Sequence, residues 1–366
     1  MEPPCGQSIV KCEKQKDDGR METQKRKQNE KEKAERRMKI VAGLGSVDEY
    51  IPYVLAGADE LFCGYVPYNW TKKYGTVLPL NRREVLAYNV QLGSFSELEI
   101  LSAMIRKYRK PVHIAMNSLY YIPEQYEEIA DIVKQCMKIG FDSFILADPA
   151  LILYLRQKGI SCKIHLSGEV GEMNREAIKV FREMGIGRII FHRKNTVASM
   201  RQMIEAVNAE KLEFEAFALN ELCQFTGAFC NSLHCDEMGY LCRTTYWGDA
   251  EMEERMERVR KRTLEIEVQQ YLCGKSGCAL CALPQLEAAG ITHLKLVGRG
   301  NYVEDMIRDI RNLKAALGAL EENRREEKET GRYIDQLNKK IFDGQPCGNN
   351  CIYNPDTNKD NHLKYQ

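Results

Sequence analysis

The stretch GFDSFILADPALILYLRQKGISCKIHLSGEVGEMNREAIKVFREMGIGRIIFHRK (140–194) decides the fold. Gly140 precedes the apolar run FDSFIL, and Gly185 precedes the similar run IGRIIF. Between them lies CKIHLS (162–167), and residues 172–184 carry the spacing of an amphipathic helix. Short apolar strands that alternate with helices, with glycine punctuating the helix ends, predict strand–helix units that repeat along the chain.

The same punctuation recurs outward from this stretch. KIVAGL (39–44) reads as a buried strand, and Ser46 with Glu49 three residues on reads as a capping box. Gly57 precedes ADELF, and Gly290 precedes ITHLKL. Helical patterns cover 125–139 and 284–289. The strands predicted are 39–44, 59–63, 112–116, 143–147, 162–166, 188–192, 213–218 and 292–297. Alternating units of this kind imply a parallel sheet. Eight of them closing on themselves make an α/β fold of the (β/α)8 TIM-barrel type, with a doubly wound open sheet as the alternative. The barrel is expected over 39–317, between a charged N-terminal tail (1–38), disordered or helical, and a charged helix extension with a loose tail (318–366).

The chain has 366 residues, with 53 Lys and Arg against 52 Asp and Glu. A net charge of +1 argues against binding nucleic acid by bulk charge alone. Mean hydropathy is −0.45 and no apolar run is long enough to span a membrane. Residues 1–39 lack the apolar core of a secretory signal, so a cytoplasmic location is expected.

Fourteen cysteines are the feature to explain, and seven of them fall between Cys223 and Cys281. In a reducing compartment, clustered thiols signal metal or redox chemistry more than disulfides. Cys223, Cys230, Cys235 and Cys242 follow the seventh strand, and Cys273, Cys278 and Cys281 come after a charged segment (251–262) and an alternating stretch (263–272) that looks like a hairpin. Residues 219–282 are therefore expected to form a cysteine-rich insertion between strands seven and eight. Only Cys278 and Cys281 have the close spacing of a zinc knuckle, so spacing alone leaves zinc, an iron–sulfur cluster and incidental buried thiols open.

Cys223-x6-Cys230, preceded by Glu-x-Phe and Glu-Leu-Cys, resembles the signature of the collagenase-like peptidases of unknown catalytic type. The likeness extends over 41–64, 140–157, 163–194 and 283–304, and so covers roughly 39–315. That family includes proteins for oxygen-independent hydroxylation in the ubiquinone pathway and of tRNA uridine and rRNA cytidine, which are associated with a four-cysteine [4Fe–4S] cluster. The resemblance implies such a cluster here, with zinc second, on Cys223, Cys230, Cys242 and Cys278. Cys242-Arg243 with Tyr246 resembles the family's third-ligand element; Cys235 competes with Cys242, and Cys281 is the reserve for Cys278. Three departures bear on the substrate: Asn220-Glu221 where the family has glycine and a small residue, Ser167-Gly168-Glu169 in place of Ser-Thr-Gln, and Val297 in place of glutamate.

A barrel presents its site at the C-terminal strand ends. Polar residues expected there are Asn117, Asp148, His165, Glu169, His192, Arg193, Glu221 and Arg299. Asp148, ahead of Pro149, also suits a helix cap. Asn117, His165, Glu169, Arg193 and Arg299 are the candidate catalytic set, with the two arginines suited to an anionic substrate. The resemblance implies oxygen-independent hydroxylation, or a related modification, of a small molecule or an RNA base. A collagenase-like peptidase and a noncatalytic RNA-binding or assembly partner are the alternatives. The sequence offers neither a GxSxG elbow nor HExxH nor an evident Cys–His pair.

Overall fold

The computed structural model describes residues 37–75, 78–82, 90–207, 212–220, 271–325, 330–344, 347 and 350–353. The chain divides into two compact units, Met1–Met38 and Lys39–Gln366. Eight parallel strands in the second unit close into a barrel in sequence order. They are β1 (Lys39–Leu44), β2 (Glu60–Gly64), β3 (Val112–Met116), β4 (Ser143–Leu146), β5 (Lys163–Leu166), β6 (Arg188–Ile190), β7 (Glu213–Leu219) and β8 (His293–Leu296). The ring closes where Lys39–Ala42 of β1 pair in parallel with His293–Leu296 of β8. The open-sheet alternative is thereby excluded.

Helices follow the strands: α1 (Tyr50–Ala56), α2 (Tyr68–Tyr74), α3 (Phe95–Tyr108), α4 (Pro123–Lys138), α5 (Pro149–Gln157), α6 (Arg175–Glu183), α7 (Val197–Val207), α8 (Leu283–Ala288), α9 (Val303–Arg325) and α10 (Thr330–Lys340). Among the described residues, no helix is long and apolar enough to cross a membrane. Leu101, Ile129, Leu151, Ile178 and Met200 bury the inner faces of α3 to α7. Each such side chain contributes about 1.5–3 kcal/mol by leaving water.

Local chemistry sets the helix starts. Ser94 and Glu97 form a reciprocal capping box at α3. Asp148 accepts the Ala150 N–H at 2.8 Å and caps α5, the helix-capping role its position before proline suggested. The box expected at Ser46 and Glu49 is only half made. The Glu49 N–H bonds the Ser46 carbonyl in a 3₁₀ turn, so the Ser46 hydroxyl makes no cap, while Glu49 Oε2 accepts the Gly45 N–H at 2.7 Å.

The C-terminal segment also differs from a loose tail. Beyond α10, Phe342, Ile352 and Tyr353 are buried, and Tyr353 Oη accepts the Phe217 N–H at 3.1 Å. Burying two aromatic rings and an isoleucine holds 350–353 against β7. Residues 221–270, which include all but the last two residues of the hairpin expected over 263–272, lie outside the described residues.

Candidate functional site

The barrel interior is built in layers, because side chains two apart along a strand face the same way. The floor is charged. Glu60 of β2 accepts from Arg188 of β6, on the opposite wall, at 2.7 Å, and from His113 Nε2 at 2.9 Å. His113 Nδ1 lies 2.5 Å from Ser143 Oγ, and His293 Nε2 lies 3.2 Å from Glu60 Oε1. Arg188 also bonds Glu213 at 2.7 Å and Glu215 at 3.0 Å, and Lys295 reaches Glu215 at 3.0 Å. Branched apolar residues are the usual filling of such a barrel; here a closed ion network takes their place.

Protonation follows this layout. Burial raises the Glu60 carboxyl, but hydrogen bonds from His113 and His293 and the Arg188 charge outweigh it and hold the group far below the carboxylate range. Burial likewise raises Glu215, and the Lys295 and Arg188 charges bring it down to about 2. Burial lowers His113, with Glu60 opposing. Burial, then the charges of His113 and Arg188, lower His165 further. Both imidazoles are neutral near pH 7.

Above the floor, two residues further along each strand, sits a largely apolar belt of Phe62, Ala115, Ile145, Ile190 and Phe217. Above that is the mouth, a cavity at the C-terminal strand ends. Among the described residues its lining includes Arg82, Arg193, Lys295 and Arg299 with one carboxylate, Glu169. Glu169 lies 3.5 Å from Arg82 and 3.9 Å from Arg193. Two cations rest on aromatic faces: Lys295 Nζ is 3.6 Å from the Phe62 centroid, and the Arg193 guanidinium is 3.9 Å from that of Phe217. Asn117 accepts the Arg82 N–H at 3.2 Å and donates to Ser167 at 3.3 Å. Gly64 leaves room for Arg299: a Cβ there would stand 2.5 Å from its Nη1.

Four of the five candidate catalytic residues, Asn117, Glu169, Arg193 and Arg299, therefore share one cavity. His165 does not line it. It lies deeper, its ring 4.4 Å from that of His113, and its Nδ1 has no hydrogen-bond partner. Its position on β5 points it into the barrel, but two residues short of Ser167 at the mouth. His192 is buried and accepts the Lys194 N–H at 3.2 Å, a loop-fixing role. Glu221, Cys223, Cys230, Cys235 and Cys242 lie outside the described residues. Lys295, Arg82 and Phe217 were absent from the expected set. The signal for Lys295 was the pair of polar residues two apart in HLKL, matched by Glu213 and Glu215 in EFEAF.

The end of β7 directs the chain from the mouth toward the thiols. Asn220 adopts φ 67°, a left-handed conformation that glycine takes freely and asparagine tolerates. This accounts for asparagine where the family has glycine. Its side chain donates to Val297 O at 3.1 Å and to Asp309 at 2.8 Å. Cys278 bridges Leu219, the last residue of β7, and also pairs with Cys351. Cys273, Cys278, Cys281, Cys347 and Cys351 line one cavity. Among the described residues, no three His, Cys, Asp or Glu side chains are already set around a metal position. Burial pushes up the thiols of Cys63, Cys136 and Cys273 to about 12 and that of Cys281 to about 11. It also raises Cys162, Cys278 and Cys351.

The model of peptidase family U32 matches residues 45–359. A tRNA hydroxylation protein P1 from Bacillus subtilis is 22% identical over 308 residues, covering 82% of this chain and 68% of that protein. A tRNA hydroxylation protein P from Escherichia coli is 25% identical over 174 residues, 48% of this chain. The chain spans only 34% of that relative's length. Among solved structures, a U32 peptidase is similar at 14% identity and a TM-score of 0.38, over 50% of this chain and 69% of that one.

Proposed function

Since the chain belongs to peptidase family U32, we propose that it supports hydroxylation of a tRNA base, using the barrel mouth to seat an anionic group and a thiolate-held [4Fe–4S] cluster beside it. The observation that supports this reading is the gathering of Arg193, Lys295, Arg299 and Asn117 around one cavity at the C-terminal strand ends. Both curated relatives quoted above bear names of tRNA hydroxylation proteins.

The mouth residues divide the work. Arg193 and Arg299 are buried but face the cavity, so an anionic oxygen there meets guanidinium groups with little competing water. Lys295, pinned by Glu215 and stacked on Phe62, presents its charge from below. Glu169 holds Arg82 and Arg193 in position. Exposed Tyr68, at the start of α2, and Tyr120 and Tyr302, in the segments after β3 and β8, follow C-terminal strand ends and offer stacking faces for unpaired bases.

The family's pattern gives the cluster Cys223, Cys230, Cys242 and Cys278, with Cys235 and Cys281 in reserve. The fit rests on donor chemistry: Cys278 is a buried-cavity thiol at the end of β7, and soft thiolates suit iron–sulfur. A cluster bound there supplies one-electron chemistry. Proteolysis gains no support from the described residues. Burial raises the thiols of Cys63, Cys136, Cys162, Cys273, Cys278, Cys281 and Cys351, the reverse of an activated nucleophile.

Nucleoside mass spectrometry of tRNA from a strain lacking this protein tests the reading. A hydroxylated nucleoside should disappear and return when the protein is restored under anaerobic growth. An unchanged nucleoside profile, together with gelatin cleavage by the purified protein, would overturn it.

A further inference from the structure

Asn220, just past the end of β7, and Tyr271 flank residues 221–270 in the sequence, and one carboxylate joins them. It belongs to Asp309 of α9, which is buried. Asp309 Oδ2 accepts from Asn220 Nδ2 at 2.8 Å, and Oδ1 accepts the Tyr271 hydroxyl at 2.6 Å. Asn312 stands three residues further on, on the same face of the helix, and donates to Tyr271 Oη at 2.9 Å. The Arg308 guanidinium lies 5.1 Å from the centroid of the Tyr271 ring.

The backbone reinforces the connection. Asn220 N–H donates to Gly277 O at 2.8 Å, Ala279 N–H donates to Ala218 O at 2.8 Å, and Ser276 Oγ donates to Asn220 Oδ1 at 3.3 Å. The two sides held in this way are those that supply the cluster's expected ligands. Cys223 stands three residues beyond Asn220, and Cys278 bridges Leu219.

Packing alone does not account for an aspartate at this place. Burial raises the Asp309 carboxyl, and the hydrogen bonds from Asn220 and Tyr271 oppose that rise. An apolar side chain would fill the space without the desolvation cost. Asn220 is also a departure from the family's glycine. Glycine would take the φ of 67° freely, but it has no side chain to reach Asp309.

We propose that Asp309 is a positioning residue that fastens both flanks of residues 221–270 to α9 and so fixes the Cys223 end of the ligand set relative to Cys278. Its effect on iron rests on the cluster reading; the fastening itself rests on the hydrogen bonds of Asn220 and Tyr271. Groups that orient metal ligands from outside alter metal affinity by about 10- to 100-fold.

The test compares the anaerobically purified full chain with its Asp309→Asn, Tyr271→Phe and double variants. Asp309→Asn keeps the shape of the side chain but replaces one acceptor oxygen with an amide donor. Its iron should pass to a chelator about 10-fold faster or more, and the EPR spectrum of the reduced protein should change. Tyr271→Phe should shift both readouts in the same direction, and the double variant should add little, because both changes remove one shared contact. Hydrogen exchange at the Asn220 and Ala279 amides reads the fastening without iron and should quicken in Asp309→Asn. Unchanged exchange, or wild-type iron retention with an unchanged spectrum, overturns the proposal. Iron missing from the wild type would count against the cluster reading alone, and the exchange result then decides the fastening. If Asp309→Asn fails to fold, Tyr271→Phe, which loses a single hydroxyl, carries the same readouts.

Discussion

The floor and the mouth of the barrel use the same residue types to opposite ends. On the floor, Arg188 is paired with three carboxylates, Glu60, Glu213 and Glu215, and is 2% exposed. At the mouth, four cations line a cavity with Glu169 as its one carboxylate among the described residues. An apolar belt from Phe62 to Phe217 separates the two layers. Charges that are matched inside the protein are scaffold, because their solvation has been replaced by partners. Charges that line a cavity can also meet a ligand of opposite sign.

The largest break in this comparison comes from the floor. Arg188→Leu removes the buried guanidinium that Glu60, Glu213 and Glu215 share, leaving Glu215 with Lys295 alone, and should cost about 3–5 kcal/mol in urea unfolding. A loss under about 1 kcal/mol would mean that the network contributes little. The mouth should respond differently. Arg193→Ala should lower tRNA binding about 10- to 100-fold, the worth of a charged hydrogen bond, while leaving the unfolding midpoint near the wild type. Equal losses of binding and stability would erase the distinction between the layers.

Acid sharpens the contrast. His113 and His165 are lowered from the ordinary value of 6.5, so the unfolded chain takes up these protons before the folded one. Stability should therefore fall as pH drops below about 6.5. Glu60 and Glu215 are lowered from 4.5, and their contribution, present above that value, is lost as pH falls through it toward their folded values. Thermal unfolding across pH 2–8 reads both phases, and His113→Gln should flatten the first. A flat profile between pH 5 and 7 would contradict neutral buried imidazoles. The smallest effect belongs to Gly64→Ala. The added methyl meets the mobile end of Arg299, so stability should change by about 1 kcal/mol or less while tRNA hydroxylation declines. Unchanged hydroxylation would separate Arg299 from the reaction.

The barrel was legible because its strands are short apolar runs set between amphipathic helices, each helix stopped by glycine. KIVAGL and FDSFIL needed nothing distant to be read. The mouth was legible where polar residues sit just past strand ends, as with Asn117, Glu169, Arg193 and Arg299. The floor was harder. Glu60 and Arg188 are 128 residues apart and become partners only when the sheet closes across its diameter. His165 fell to the wrong layer for the same reason: two residues along a strand separate a ligand-facing side chain from a buried one. Cys347 and Cys351 read as tail residues until the backbone of Asn350 and Ile352 paired with Cys278.

The most direct test restores the Arg193→Ala, Arg299→Ala double variant to a strain lacking this protein and measures its tRNA nucleosides by mass spectrometry, with protein level and unfolding midpoint checked in parallel. A folded variant at normal abundance that fails to restore the hydroxylated nucleoside is the predicted result. Full restoration by that variant would contradict the assignment of the mouth as the functional site.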